Sequence, residues 1–396
     1  MFFNFLHFLL TIIIIIFLTT VLNKKRREIR VRFILQLLLI EILLAYILLH
    51  SSVGLILISL LSNIFNKLLT FAFSGTEFVF GGMYKYKLAF FFITALCPII
   101  FVSMLIGILQ YIRVLPIIII TIGTILSKIS GMGKLESFNA ISSLMLGQSE
   151  NFIAYKNILY KIPKNRMHNM AITAMSTVSM SIIGSYIRIL SPRYVITAII
   201  LNIFSTFIIL LLLNPYNINY EDDINIKNLH ENKGFFEMLS DYIITGSKVA
   251  IIIAAMLIGF ISLISMINYL CNLIIGINFQ ELLGYIFSPF AWIIGIPEKD
   301  VLNAGSIMAT KLVSNEFVAM IDLKRMSNNL SSRSIGILSV FLVSFANFSS
   351  IGVISGSIKS LDKNQGDTIA KYGFNLVYSS TLVSVLSAAI SGIIIK

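Results

Sequence analysis

Leu146-Gly147-Gln148-Ser149-Glu150-Asn151-Phe152-Ile153-Ala154 and Lys311-Leu312-Val313-Ser314-Asn315-Glu316-Phe317-Val318-Ala319 are two versions of one phrase. Each sets an Asn beside a Glu within apolar sequence and continues with Phe, a β-branched aliphatic and Ala. The order of the polar pair is reversed between them. A carboxylate at membrane depth costs at least about 2.5–3.5 kcal/mol on insertion scales, which makes each Glu a candidate functional group. Two of them in similar wording predict one site assembled from the two halves of a duplicated membrane protein.

The sequence around the phrases supports a membrane setting. Hydrophobic residues make up 57% of the chain and charged residues 12%, about half the charge of a soluble chain of this length. Mean hydropathy is +0.92. Several blocks reach the roughly 20 apolar residues needed to cross a hydrocarbon core. They are continuous and do not alternate, which excludes a membrane barrel. The fold class predicted is an all-α polytopic membrane protein in a lipid bilayer. The net charge of +12 sits in short loops, as the positive-inside bias requires, and no soluble basic domain exists to hold nucleic acid. Cys97 and Cys271 lie in apolar segments without metal-ligand spacing to a His and read as small core residues. Residues 1–22 lack a basic leader and a small-residue cleavage site, so they read as a retained first span. The basic cluster Lys24, Lys25, Arg26, Arg27, Arg30 and Arg32 then places the first loop in the cytoplasm and fits a bacterial inner (cytoplasmic) membrane.

Along the chain, spans are predicted at about 2–22, 31–49 and 88–110, the last kinked at Pro98. An amphipathic interfacial helix is expected at 54–73. An irregular apolar stretch follows from 113. Residues 134–162 read as a helix that enters, breaks near Gly147–Asn151 and returns, a course tolerated only where backbone is buried in protein or lines a cavity. Residues 167–190 form a hydroxyl-rich span, and another span runs over 194–213. A polar loop covers 214–241, and a span follows at 248–270. The second half repeats this order: residues 279–296, broken by Gly284, Pro289 and Gly295; a second hairpin at 298–323; a second hydroxyl-rich span at 334–358; and a last span at 373–395. The predicted organisation is N-terminal spans and interfacial helix, mostly scaffold, in 1–112; a first repeat in 113–213; a polar loop and scaffold span in 214–278; and a second repeat in 279–396. Interrupted apolar segments at matching places in two halves point to a binding site at the repeat interface.

Glu150 and Glu316 each admit two readings. One is a structural carboxylate satisfied at a helix start. The other is a ligand-binding group able to exchange a proton, which would suit proton coupling. Phe345-Ala346-Asn347-Phe348-Ser349-Ser350 places an amide and two hydroxyls in mid-span, enough to satisfy a helix break and to offer donors and acceptors to a ligand.

With Gly284-Tyr285-Ile286-Phe287-Ser288-Pro289, these motifs resemble the concentrative nucleoside transporter family. Residues 147–155 and 175–181 are similar in wording to its bacterial nucleoside permease (NupC-type) branch. The resemblance implies eight spans, three interfacial helices and two oppositely oriented re-entrant hairpins per protomer, a homotrimer, and an elevator mechanism. It further implies that Gln148, Ser149 and Glu150 face a nucleobase, that Ile182 gives an apolar base contact and that Phe345 borders the base. Glu316, Asn347 and Ser350 would hold the ribose hydroxyls. In sodium-coupled members an Asn stands where this chain has Ser143, and the remaining positions of that ion site fall on Leu146, Thr177 and Val178. Loss of the amide oxygen favours protons over sodium as the coupling ion. Glu316 is the first candidate for the proton carrier and Glu150 the second.

The resemblance implies no cofactor and no enzymatic activity. A membrane enzyme would need a loop with clustered Asp, His or Arg. The acidic run Glu221-Asp222-Asp223 reads more simply as a solvated face. A gated channel is a third class, since channels also contain re-entrant loops.

Overall fold

The computed structural model describes residues 2–23, 28–83, 86, 88–148, 150–155, 158–216 and 234–395. The described residues are helical, without strands. The helices are α1 (Phe2–Leu22), α2 (Val31–His50), α3 (Ser52–Phe80), α4 (Pro98–Tyr111), α5 (Val114–Ser130), α6 (Lys134–Leu146), α7 (Lys164–Ser176), α8 (Met180–Ile189), α9 (Pro192–Leu213), α10 (Phe235–Ile275), α11 (Phe279–Ile293), α12 (Val301–Val313), α13 (Glu316–Met326), α14 (Ser332–Leu342), α15 (Phe348–Leu361), α16 (Lys363–Lys371) and α17 (Gly373–Ile394).

Among the described residues, eight helices are long and apolar enough to cross a membrane: α1, α2, α3 extended to Met83, Phe92–Tyr111, Lys164–Ile189, α9, α10 and α17. The number matches the expectation, but the membership does not. α3 reaches well past 54–73, and the hydroxyl-rich stretch 334–358 is two helices, α14 and α15, with residues 343–347 between them. The first hydroxyl-rich span is broken as well, at Thr177-Val178-Ser179 between α7 and α8.

Two expected interruptions take a different form. Pro98 opens α4 directly after a π-helical turn over Phe92–Leu96, where Cys97 N donates to Phe92 O at 2.9 Å. Proline has no N–H and its ring crowds the carbonyl four residues back, so the wider turn absorbs it. Within 279–296 the helix α11 runs unbroken through Gly284 and Pro289 and ends only before Gly295, whose φ is +93°. Pro289 frees the carbonyl of Tyr285, and the Ser288 hydroxyl donates to it at 2.9 Å. Gly284 serves close packing: a Cβ on Gly305 of α12 would stand 2.6 Å from the Gly284 carbonyl oxygen.

The core lies around α7–α8, α9 and α17, whose side chains are mostly buried. α1 and α2 pack on α9 and α17, while α4 pairs with α10. α5 lies on α6, α11 on α12, and α14 on α17. The apolar faces left exposed belong mainly to α1, α2, α3 and α10, as expected of helices that meet lipid tails. The starts of α6 and α12 are each tied to a helix that follows in sequence. Arg166 of α7 grips Glu136 of α6 with two hydrogen bonds, at 2.8 and 2.7 Å. Asp300, just before α12, accepts from Ser331 N at 3.0 Å and from the hydroxyls of Ser331 and Ser334 at 2.6 Å each.

Candidate functional site

Helix ends converge on one cavity. α6 stops at Gly147, whose φ of +109° and ψ of 170° place it in a region open essentially to glycine. α8 starts behind Ser179, whose hydroxyl accepts from Ser181 N at 3.3 Å. α13 starts behind Asn315, whose Oδ1 accepts from Val318 N at 3.0 Å. α15 starts behind Asn347, whose Oδ1 accepts from Ser350 N at 2.9 Å. Small amide and hydroxyl caps are what exposed N–H groups at such starts require. The cavity is lined by Gly147 and Gln148 after α6, Ser179 from the first break with Ser181 and Ile182 at the start of α8, Asn315 and Glu316 at the start of α13, and Phe345 and Asn347 from the second break with Ser350 at the start of α15. Val249, Ile252 and Ile253 of α10 form an apolar wall.

Glu316 is the first residue of α13, where the positive end of the helix dipole favours an anion. Its side chain is buried, and each oxygen accepts one hydrogen bond: Oε1 from Tyr186 Oη and Oε2 from Asn347 Nδ2, both at 2.9 Å. The orientation of Asn347 is settled by its other end. Oδ1 takes Ser350 N and the Ser349 hydroxyl, at 2.9 and 2.7 Å, so Nδ2 must face the carboxylate. A carboxylate offers about four acceptor directions. With two used, Glu316 keeps acceptor capacity at the edge of a cavity it lines. The Tyr186 ring is packed edge-on against Phe317, 5.0 Å between centroids.

The expected site residues divide as follows. Gln148, Ile182, Glu316, Phe345, Asn347 and Ser350 line the one cavity. The buried Oε1 of Gln148 has no hydrogen-bond partner, which leaves an acceptor for a ligand. Ser149 lies outside the described residues. Glu150 opens a short 3-10 helix to Tyr155, and its side chain lies outside what the structure describes. The neighbouring Asn151 is fully buried and structural: its Nδ2 donates to Asn139 Oδ1 at 2.6 Å and its Oδ1 accepts from the Ser142 hydroxyl. Sequence reading missed Tyr186, as it did the lining residues Ser179, Ser181 and Asn315. The position of Tyr186 four residues after Ile182 puts it on the same helix face, a usable signal that a common residue type conceals.

The positions of the expected ion site hold hydroxyls and carbonyls. Ser143 is buried with an unpartnered hydroxyl. The Thr177 hydroxyl lies within hydrogen-bonding reach of the carbonyls of Thr173 and Ala174, at 3.2 and 3.4 Å. Leu146 O accepts from Ser179 Oγ at 3.4 Å, and Val178 can contribute only backbone. Among the described residues no cluster of three His, Cys, Asp or Glu side chains could hold a metal.

A helical membrane protein with a cavity walled by helix ends and two helix breaks, furnished with a carboxylate, amides and hydroxyls, has the architecture of a secondary transporter. Comparison with known proteins narrows this class. Residues 194–392 match the family described as Na+ dependent nucleoside transporter C-terminus, residues 10–83 its N-terminus, and residues 92–193 a nucleoside-recognition gate domain. The purine nucleoside transport protein NupG of Bacillus subtilis (strain 168) is 36% identical over 98% of this chain and 100% of its own length. The nucleoside permease NupC of Helicobacter pylori is 26% identical over 95% and 94%. CNTnw in an inward-facing substrate-bound state superposes with a TM-score of 0.92 at 27% identity, covering 99% of both chains. A CNTnw variant in an outward-facing state also gives 0.92, at 26% identity over 100% and 98%. The chain belongs to the concentrative nucleoside transporter family, in its NupC-type branch, and is a nucleoside transporter.

Proposed function

We propose that this protein imports nucleosides, purine nucleosides among them, by symport with protons across a bacterial cytoplasmic membrane. The observation that carries the reading is the Glu316 carboxylate held between Tyr186 and Asn347 at the cavity edge. Vicinal ribose hydroxyls donate to its remaining lone pairs, and Ser350 adds a further contact. Gln148, Ser149 and Glu150 meet the base edge, with Ile182 and Phe345 on its faces. A carboxylate buried at a cavity edge can exchange a proton, so Glu316 is the first choice of proton carrier and Glu150 the second. The purine preference is supported by the similarity to NupG.

Re-entrant hairpins 134–162 and 298–323, a homotrimer and an elevator motion complete the proposal. Packing supports a division in which α4 and α10 belong to the frame, while α1 and α2 travel with α9 and α17, on which they lie. The proposal thus assigns α1 and α2, within 1–112, to the moving body and not to the scaffold.

Sodium coupling is the competing reading, because the family description names Na+. Ser143, which supplies one hydroxyl where an amide would be needed, weighs against it. Uptake of labelled adenosine into vesicles decides between the two. An inwardly directed proton gradient is expected to drive accumulation without sodium, and Glu316→Gln to abolish it. Accumulation driven by a sodium gradient at fixed pH, with no response to a proton gradient, would overturn proton coupling.

A further inference from the structure

Lys311 belongs to the second phrase, five residues before Glu316, yet it does not line the cavity. Its side chain has no solvent exposure. The ammonium makes three hydrogen bonds, all to neutral oxygens: Phe341 O at 2.5 Å, Ser344 Oγ at 2.7 Å and Ser384 Oγ at 3.1 Å. It also lies 4.4 Å from the centroid of the Phe341 ring, a cation–π distance. An ammonium has three N–H donors and no acceptor, so three oxygens match it fully.

Two of the three oxygens come from one helix break. Phe341 is in the last turn of α14, where the carbonyls lose their intrahelical partners and the helix dipole is negative. Ser344 lies in the break before α15, and Ser384 reaches over from α17. A buried cation is tolerated only when its environment replaces the lost water. Here two oxygens of a broken helix and one hydroxyl of α17 do so. The matching position in the first phrase is Leu146, so only the second hairpin carries this charge.

We propose that Lys311 is a tethered cation: its ammonium fills an oxygen site suited to a small monovalent cation at the α14–α15 break, and so sets the register of Asn315 and Glu316 against Asn347. Lys311 is thus a positioning residue for the ribose end of the site, a role that rests on the reading of Glu316 and Asn347 given above.

The test uses purified full-length protein in N-methylglucamine, sodium or methylammonium chloride at equal ionic strength, with thermal unfolding midpoint and adenosine KM as readouts. Lys311→Ala empties the oxygen site. Its midpoint is expected to fall in N-methylglucamine and to recover by about half in sodium or methylammonium, while the wild type does not respond. Lys311→Met keeps the stem without the charge and is expected to raise KM by about tenfold or more, with no cation rescue. A Lys311→Ala midpoint indifferent to both small cations, or a Lys311→Met KM equal to wild type, overturns the proposal. Should Lys311→Ala yield no folded protein in any salt, Ser384→Ala decides, since it removes one of the three acceptors. A KM raised about threefold supports the tethered cation, and an unchanged KM overturns it. The midpoint readout does not depend on transport. A wild type that fails to take up adenosine would therefore sink the transport reading while leaving the cation site to be judged on the midpoints.

Discussion

At the scale of the residue, the two phrases that look alike divide their work unequally. In the first, Asn151 is locked to Asn139 and Ser142 of the same hairpin. In the second, Asn315 caps α13 and Glu316 faces the cavity. Glu316 and Asn347 were legible in the sequence because a carboxylate or an amide in apolar surroundings demands explanation. Tyr186 was not, because a tyrosine in a membrane helix reads as packing until a partner is seen on its hydroxyl. The role of Lys311 was hidden because its three oxygen partners lie far along the chain, at Phe341, Ser344 and Ser384. The geometry gives Tyr186 a measurable role. Tyr186→Phe leaves the ring against Phe317 and deletes one donor to a buried acceptor, a loss of about 1.5–3 kcal/mol when the acceptor is charged. Initial-rate uptake should therefore show a KM raised by about tenfold or more with the protein still folded. A wild-type KM in that variant would mean that Asn347 alone positions the carboxylate. Asn347→Ala should be worse, since it removes a donor to Glu316 and the cap of α15 together.

At the scale of the element, the breaks are made by caps and by one glycine. The second break was legible from Asn347 and its serines. The first was not, because Thr177-Val178-Ser179 contains neither Gly nor Pro, and what stops α7 and restarts α8 is the Ser179 hydroxyl on Ser181 N. α16 was missed because it is polar and short, and it is fixed by Asp362 accepting from Gln365 N at 2.9 Å. Gly147→Ala should cost on the order of 1–3 kcal/mol from the backbone alone. Its Cβ would also stand 3.1 Å from Ser179 Cβ. A lower unfolding midpoint and reduced uptake are expected together, and a midpoint equal to wild type would show that the turn can re-form without a positive φ.

The tie at the start of α12 gives a second test at this scale. Burial pushes the Asp300 carboxyl up, but hydrogen bonds from Ser331 and Ser334, with the Lys299 charge, hold it below its ordinary 3.8. A carboxyl lowered in the folded state stabilises fully above the unfolded value and loses that contribution as pH falls through the folded one. Asp300→Asn should therefore be less stable than wild type at neutral pH, and the gap between their unfolding midpoints should narrow as pH is lowered below 3.8. A gap that stays constant with pH would assign the effect to packing instead of charge.

At the scale of the whole molecule, periodicity and hydropathy predicted the helices but not which of them pack together. Nothing in the composition of α1 or α2 says that they lie on α9 and α17, nor that α4 pairs with α10 apart from them. That partition decides what can move. In the elevator motion proposed above, α8, with Ile182 and Tyr186, would slide past the frame, and it touches that frame where the Ser185 hydroxyl donates to the Ala95 carbonyl in the π-helical turn. A turn that already departs from α geometry spends its carbonyl outside its own ladder, so this contact can break without unravelling a regular helix. In a background with Cys97 and Cys271 replaced by Ala, Ala95→Cys with Ser185→Cys, joined by a disulfide or a short bis-maleimide, should stop nucleoside uptake while leaving nucleoside binding intact. Reduction of the disulfide should restore uptake. If the joined protein transports at the rate of the unjoined one, α8 does not slide past α4, and the opening of the cavity must come from the hairpin tips alone.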